Sequence, residues 1–212
     1  MGDARMTRRL LWGGVIGPVV FVVGFMLIGL LRADYDPMRQ FVSLLSLTDD
    51  GWQQVANFLV SGTLILAGAA GWRRVVREGP GSRWGPILIG LAGVGLILAG
   101  LFVTDPAQGY PPGTPPGLPM ASSWHGLVHQ LGSTLVFLGL PIAMFVMARR
   151  FRGDGSQLAN YCRVSAVAML IFFAAGFGLT DVTGLFQRIS IVIAFAWVSR
   201  LSYELLGTAP EG

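Results

Sequence analysis

Residues 84–103 read WGPILIGLAGVGLILAGLFV, a run that opens on tryptophan and contains no charged side chain. Wound as a helix at 1.5 Å of rise per residue, about 20 such residues match a hydrocarbon core about 30 Å thick. Working outward from it, comparable apolar stretches lie at Leu10–Leu31, Trp52–Trp72, Trp124–Ala148, Leu158–Leu179 and Leu185–Leu205. They predict an all-α polytopic membrane protein, one domain over residues 1–212, built as a bundle of six transmembrane helices. The composition agrees. The chain is 53% hydrophobic and 12% charged, about half the charged share usual for a soluble domain.

The arginines give the expected orientation. The net charge is +4 and all 15 basic residues are arginine. They cluster before the first span (Arg5, Arg8, Arg9), between the second and third (Arg73, Arg74, Arg77, Arg83) and between the fourth and fifth (Arg149, Arg150, Arg152). Segments 33–51, 104–123 and 180–184 hold only Arg39, so the positive-inside rule puts them outside and both termini inside. Such spacing orients helices and is not a nucleic-acid footprint. The apolar stretch after Arg9 is too long for a cleavable leader and is read as a retained first helix. Trp12, Trp52, Trp72, Trp84, Trp124 and Trp197 fall near span ends, where indoles favour the lipid–water boundary. The single cysteine, Cys162, lies in an apolar segment and reads as packing.

Glycines inside the spans, as in Gly13-x-x-x-Gly17, the Gly90/Gly93/Gly95/Gly100 set and Gly176/Gly178, suit close helix packing within the chain, with an oligomer face as the alternative. Pro18 and Pro141 fall within spans. Segment 105–123, with six prolines among glycines, is expected to run extended over the outer face, as a lid or as a solvated connector.

The candidate site gathers at that outer level. His125 and His129, the two histidines of the chain, share a helix face at the start of the fourth span. Asp105 ends the third span, Ser43 and Ser46 precede the second, and Asp181, Gln187 and Arg188 flank the last turn. His125, His129 and Asp105 can be read as ligands to a zinc ion with an open position for water. They can equally be read as groups that hold helix ends together through neutral hydrogen bonds, with Arg188 pairing Asp181 or Asp105. Two histidines on one face cannot clasp a haem from opposite sides. The midplane is nearly free of ionisable groups, unlike that of an ion-coupled transporter.

Several pieces together carry a resemblance: Tyr35-x-Pro37-x-Arg39, Val42-Ser43-x-Leu45, Phe102-Val103-Thr104-Asp105, His125-Gly126-x-x-His129, Ala148-Arg149-Arg150-Phe151-Arg152 and Gly184-Leu185-x-Gln187-Arg188. By these the chain resembles the bacterial and archaeal membrane family known as domain of unknown function 998. It departs from that pattern at Leu44, where an acidic residue is expected, and at Val103, where proline is. The resemblance implies six spans in a bacterial plasma membrane and no established reaction. More distantly, the Ser, Asp and His set is similar to that of ceramidase and adiponectin-receptor type membrane hydrolases, with a different helix count and motif order.

The expected function is a polar pocket at the outer face that binds a lipid headgroup or small amphipathic ligand. A zinc-dependent hydrolase of lipid-like substrates and a structural or accessory subunit are the alternatives.

Overall fold

The computed structural model describes residues 2–119, 121–152 and 157–209, apart from the side chain of Thr180. Among the described residues, six α-helices are long and apolar enough to cross a membrane: α1 (Gly2–Leu31), α2 (Trp52–Val75), α3 (Trp84–Leu101), α4 (Trp124–Arg150), α5 (Gln157–Gly178) and α6 (Thr183–Thr208). Each expected span corresponds to one of them. The largest difference is at α1, which starts at Gly2 and so carries Arg5, Arg8 and Arg9 on a helix continuing past the apolar stretch.

Each helix packs on the helices before and after it in the chain, and α6 returns to α1, so the six form a closed ring. Hydrocarbon supplies no hydrophobic drive between helices, and contact depends on how closely backbones approach. Glycines supply that approach at three successive interfaces. A Cβ at Gly68 of α2 would strike the backbone of Gly14 in α1, one at Gly62 would lie 2.8 Å from the Gly93 carbonyl in α3, and one at Gly132 of α4 would lie 2.5 Å from the Gly95 carbonyl. The outward faces are apolar, with Val19, Val23, Leu131, Leu138, Ile142 and Ile171 exposed as lipid-facing side chains must be.

Four tryptophans, Trp12, Trp52, Trp84 and Trp124, are exposed, the last three as the first residues of α2, α3 and α4. Trp72 and Trp197 correct the expectation, since both are fully buried with ring centroids 6.0 Å apart. Trp72 donates its indole N–H to Ser202 Oγ at 2.8 Å and Trp197 to Cys162 Sγ at 3.3 Å. An indole whose N–H finds a partner inside the bundle has no need of the interface.

The three segments at the arginine-poor end fold together. Residues 42–46 and 49–51 form short 3-10 turns ahead of α2. Segment 105–123, of which Met120 lies outside the described residues, does not run extended. It doubles back, with Gln108 N donating to Gly117 O at 2.7 Å and Gly109 N to Pro115 O at 3.2 Å. Its Ala107 and Tyr110 are buried, and the Tyr110 ring meets Tyr35 edge-on at 5.5 Å.

A test of the ring lies in its glycines. Gly132→Leu should lower the melting temperature in detergent, an overpacking cost of about 1–3 kcal/mol. Gly178→Ala, where an added Cβ meets nothing within 4 Å, should leave it unchanged.

Candidate functional site

The α3–α4 junction uses three of the expected site residues, Asp105, His125 and His129. A helix leaves its last carbonyls without intrahelical donors, and in an apolar setting these must find partners. His129 places Nδ1 at 3.1 Å from Ala99 O and 2.9 Å from Phe102 O, and His125 places Nδ1 at 2.7 Å from Val103 O. A carbonyl only accepts, so each Nδ1 carries a proton.

Asp105 closes the facing terminus. Its Oδ2 accepts from Ser123 N at 2.9 Å and its Oδ1 from the Ser123 hydroxyl at 2.6 Å. Ser123 Oγ in turn accepts from Gly126 N at 3.0 Å, which makes it the N-cap of α4. A Cβ at Gly126 would collide with the Asp105 carboxylate, so glycine is needed in the His125-Gly126-x-x-His129 motif.

The zinc set of His125, His129 and Asp105 does not assemble. Among the described residues no group of three or more His, Cys, Asp or Glu side chains stands where it could hold a metal ion. Both Asp105 oxygens are engaged by Ser123, which holds the carboxylate at the start of α4.

His129 instead faces the centre of the ring. With Ser43, Ser133 and Gln187 it lines a cavity of about 40 Å³ walled by Phe21, Phe58, Phe137 and Phe195. That space suits a few water molecules, each needing about 10–15 Å³ of it. It is far too small for a lipid headgroup. Ser133 was missed in the sequence, although it lies four residues after His129 on the same helix face. Ser46 takes no part in this cavity, because its hydroxyl donates to Ser43 O at 2.6 Å and closes the 3-10 turn.

Gln187 and Arg188 tie the segment before α2 to the start of α6. Gln187 Oε1 accepts from Val42 N at 2.8 Å. One Arg188 nitrogen donates to Pro37 O, Gln40 O and Gly184 O at 2.7, 2.9 and 2.9 Å, and the other bonds the Tyr35 hydroxyl. Its guanidinium also lies 5.3 Å from the Tyr35 ring centroid. Gly184 lets the two chains meet, since a Cβ there would strike backbone atoms of Gln40 and Pro37. Thus Arg188 pairs with carbonyls and a phenol, not with Asp181 or Asp105. Asp181 is bound by Arg39 at 3.2 Å.

That ion pair borders a larger opening, a pocket of about 330 Å³ between the folded 105–123 segment and the α5–α6 turn. Arg39, Gln108, Asp181 and Thr183 give it polarity, and Phe41, Pro116, Leu118 and Phe177 give it apolar walls. Gln108 also fixes the segment, accepting from Phe41 N at 2.9 Å through Oε1 and from Gln40 Nε2 at 3.2 Å through its carbonyl.

Fold and site together define a multi-pass membrane protein, a ring of six helices with the candidate site residues at its arginine-poor end. The chain belongs to the family described as protein of unknown function (DUF998), whose model matches residues 15–203. No curated protein and no solved structure matches it.

Two measurements check these assignments. His129→Ala removes the donor to two carbonyls of the α3 end and should cost about 1–3 kcal/mol of stability in detergent. Tyr35, outside the spans, has its phenol pushed up to about 12 by burial, against the opposing pull of the Arg188 guanidinium. Between its ordinary value near 10 and that raised value, unfolding releases the phenolic proton. Stability should therefore be complete below about pH 10 and fall as pH rises towards 12, and Tyr35→Phe should remove that part of the loss.

Proposed function

We propose that this protein binds the polar headgroup of a lipid, or of another small amphipathic molecule, at the outer end of its helix bundle. The observation that supports this reading is the pocket beside Arg39 and Asp181. At about 330 Å³ it falls at the lower end of the range for small-molecule sites, about 300–1,000 Å³. Its lining joins an exposed guanidinium and carboxylate to aromatic and aliphatic walls, as a molecule with one polar and one apolar part requires. The distribution of arginines, with their clusters at the opposite end, supports reading this end as the outer one.

The zinc-dependent hydrolase has less support, because among the described residues no three such ligands stand together. A structural or accessory role is favoured by one observation, the number of carbonyls that Arg188 and the histidines hold. The two readings diverge at the pocket, whose ion pair is solvent-exposed and contributes little to stability.

Native mass spectrometry of the purified protein separates them. Arg39→Ala and Phe177→Ala should each lower retained lipid about tenfold, the equivalent of a lost charge-assisted hydrogen bond or a lost apolar wall, with the melting temperature unchanged. Retention equal to wild type in both variants would remove the binding reading and leave the structural one.

A further inference from the structure

A second lipid-shaped surface lies on the outside of the ring, where α6 closes on α1. Val15, Pro18, Val19, Val22 and Val23 of α1 face Val192, Phe195, Ala196 and Ser199 of α6 across an open groove of about 490 Å³. The helices touch at its floor, where the Phe21 and Phe195 rings stack at 5.0 Å and Ser199 Oγ donates to Val15 O at 2.8 Å. From Val192 to Tyr203 along α6 is roughly 16 Å at 1.5 Å per residue, about half of a 30 Å hydrocarbon core. The groove therefore has the reach of one leaflet.

Its polarity changes at one end only. Arg200 and Tyr203 complete the lining there, on the side where Arg8 donates to Leu206 O and the other arginine clusters lie. Arg200 is not a bare cation, because Glu204, one helical turn on, holds it at 2.5 Å, and both side chains are about half exposed. A cation and an anion side by side at the mouth of an apolar groove complement a headgroup that carries both charges.

We infer that this groove binds a phospholipid with an ethanolamine headgroup. An acyl chain lies along the valines of α1 and Ala196 of α6, the phosphate meets Arg200 and the Tyr203 hydroxyl, and the ammonium meets Glu204. A primary ammonium offers three N–H donors to the carboxylate. A choline headgroup has the charge without the donors, and a glycerol headgroup lacks the cation.

The full-length protein, exchanged into detergent containing equal amounts of phosphatidylethanolamine, phosphatidylcholine and phosphatidylglycerol of identical chains, is examined by native mass spectrometry. Wild type should retain the ethanolamine lipid over the other two by about tenfold, the effect of one charge-assisted hydrogen bond. Ala196→Trp should fill the groove and abolish that adduct. Arg200→Ala should weaken retention of all three lipids, and Glu204→Gln should erase the preference while keeping the adduct. Arg39→Ala, at the other end of the bundle, should leave the preference intact, so failure of the outer pocket and failure of the groove are read separately. Equal retention of the three lipids by wild type would overturn the headgroup assignment, and an adduct that survives Ala196→Trp with its preference intact would overturn the groove itself.

Discussion

Backbone groups at helix ends have no water to turn to inside a membrane, and the structure at the arginine-poor end is organised around that constraint. The carbonyls of Ala99, Phe102 and Val103 would be orphans where α3 stops, and two imidazole N–H groups from α4 reach across to them. The N–H groups at the start of α4 are met by Ser123, itself held by Asp105. The carbonyls of Pro37 and Gln40 are gathered by Arg188. Once each terminus is closed by a neighbour's side chain, helix ends and connecting segments can lie together at one level without exposing bare peptide to lipid.

This explains what could be read from the letters. The spans were legible because bilayer thickness imposes a length on apolar runs, and that signal survives any detail of packing. The gathering of polar residues at one end was legible for the same reason, since charge tolerates only the boundary. Pairings were not legible. Arg188 offers five donors in a fixed fork, and neighbouring carbonyls suit it as well as the carboxylate of Asp181, which Arg39 takes instead. Trp72 and Trp197 look identical in sequence to interfacial indoles, and only Ser202 and Cys162 on facing helices make them core residues. The metal reading failed because spacing along one helix says nothing about whether a third group is already engaged, as Asp105 is by Ser123.

The glycine contacts also decide where a ligand can go. Backbones at three successive interfaces approach so closely that the middle of the ring keeps only a small space around His129, Ser43, Ser133 and Gln187. Anything larger is left to the rim, where the 105–123 segment stands beside the α5–α6 turn, or to the outside of the ring, between α1 and α6. Tight packing in the bundle and open surfaces at its edges are two results of the same choice of residues.

The closure of the ring by α6 on α1 bears on how the chain is made. Helices α2 to α5 can each dock on the helix synthesised just before, but the central cavity has no wall at Gln187, Ile191 and Phe195 until the sixth emerges. During translation the inward face of α1 must wait beside lipid or an insertion factor for a partner encoded far downstream.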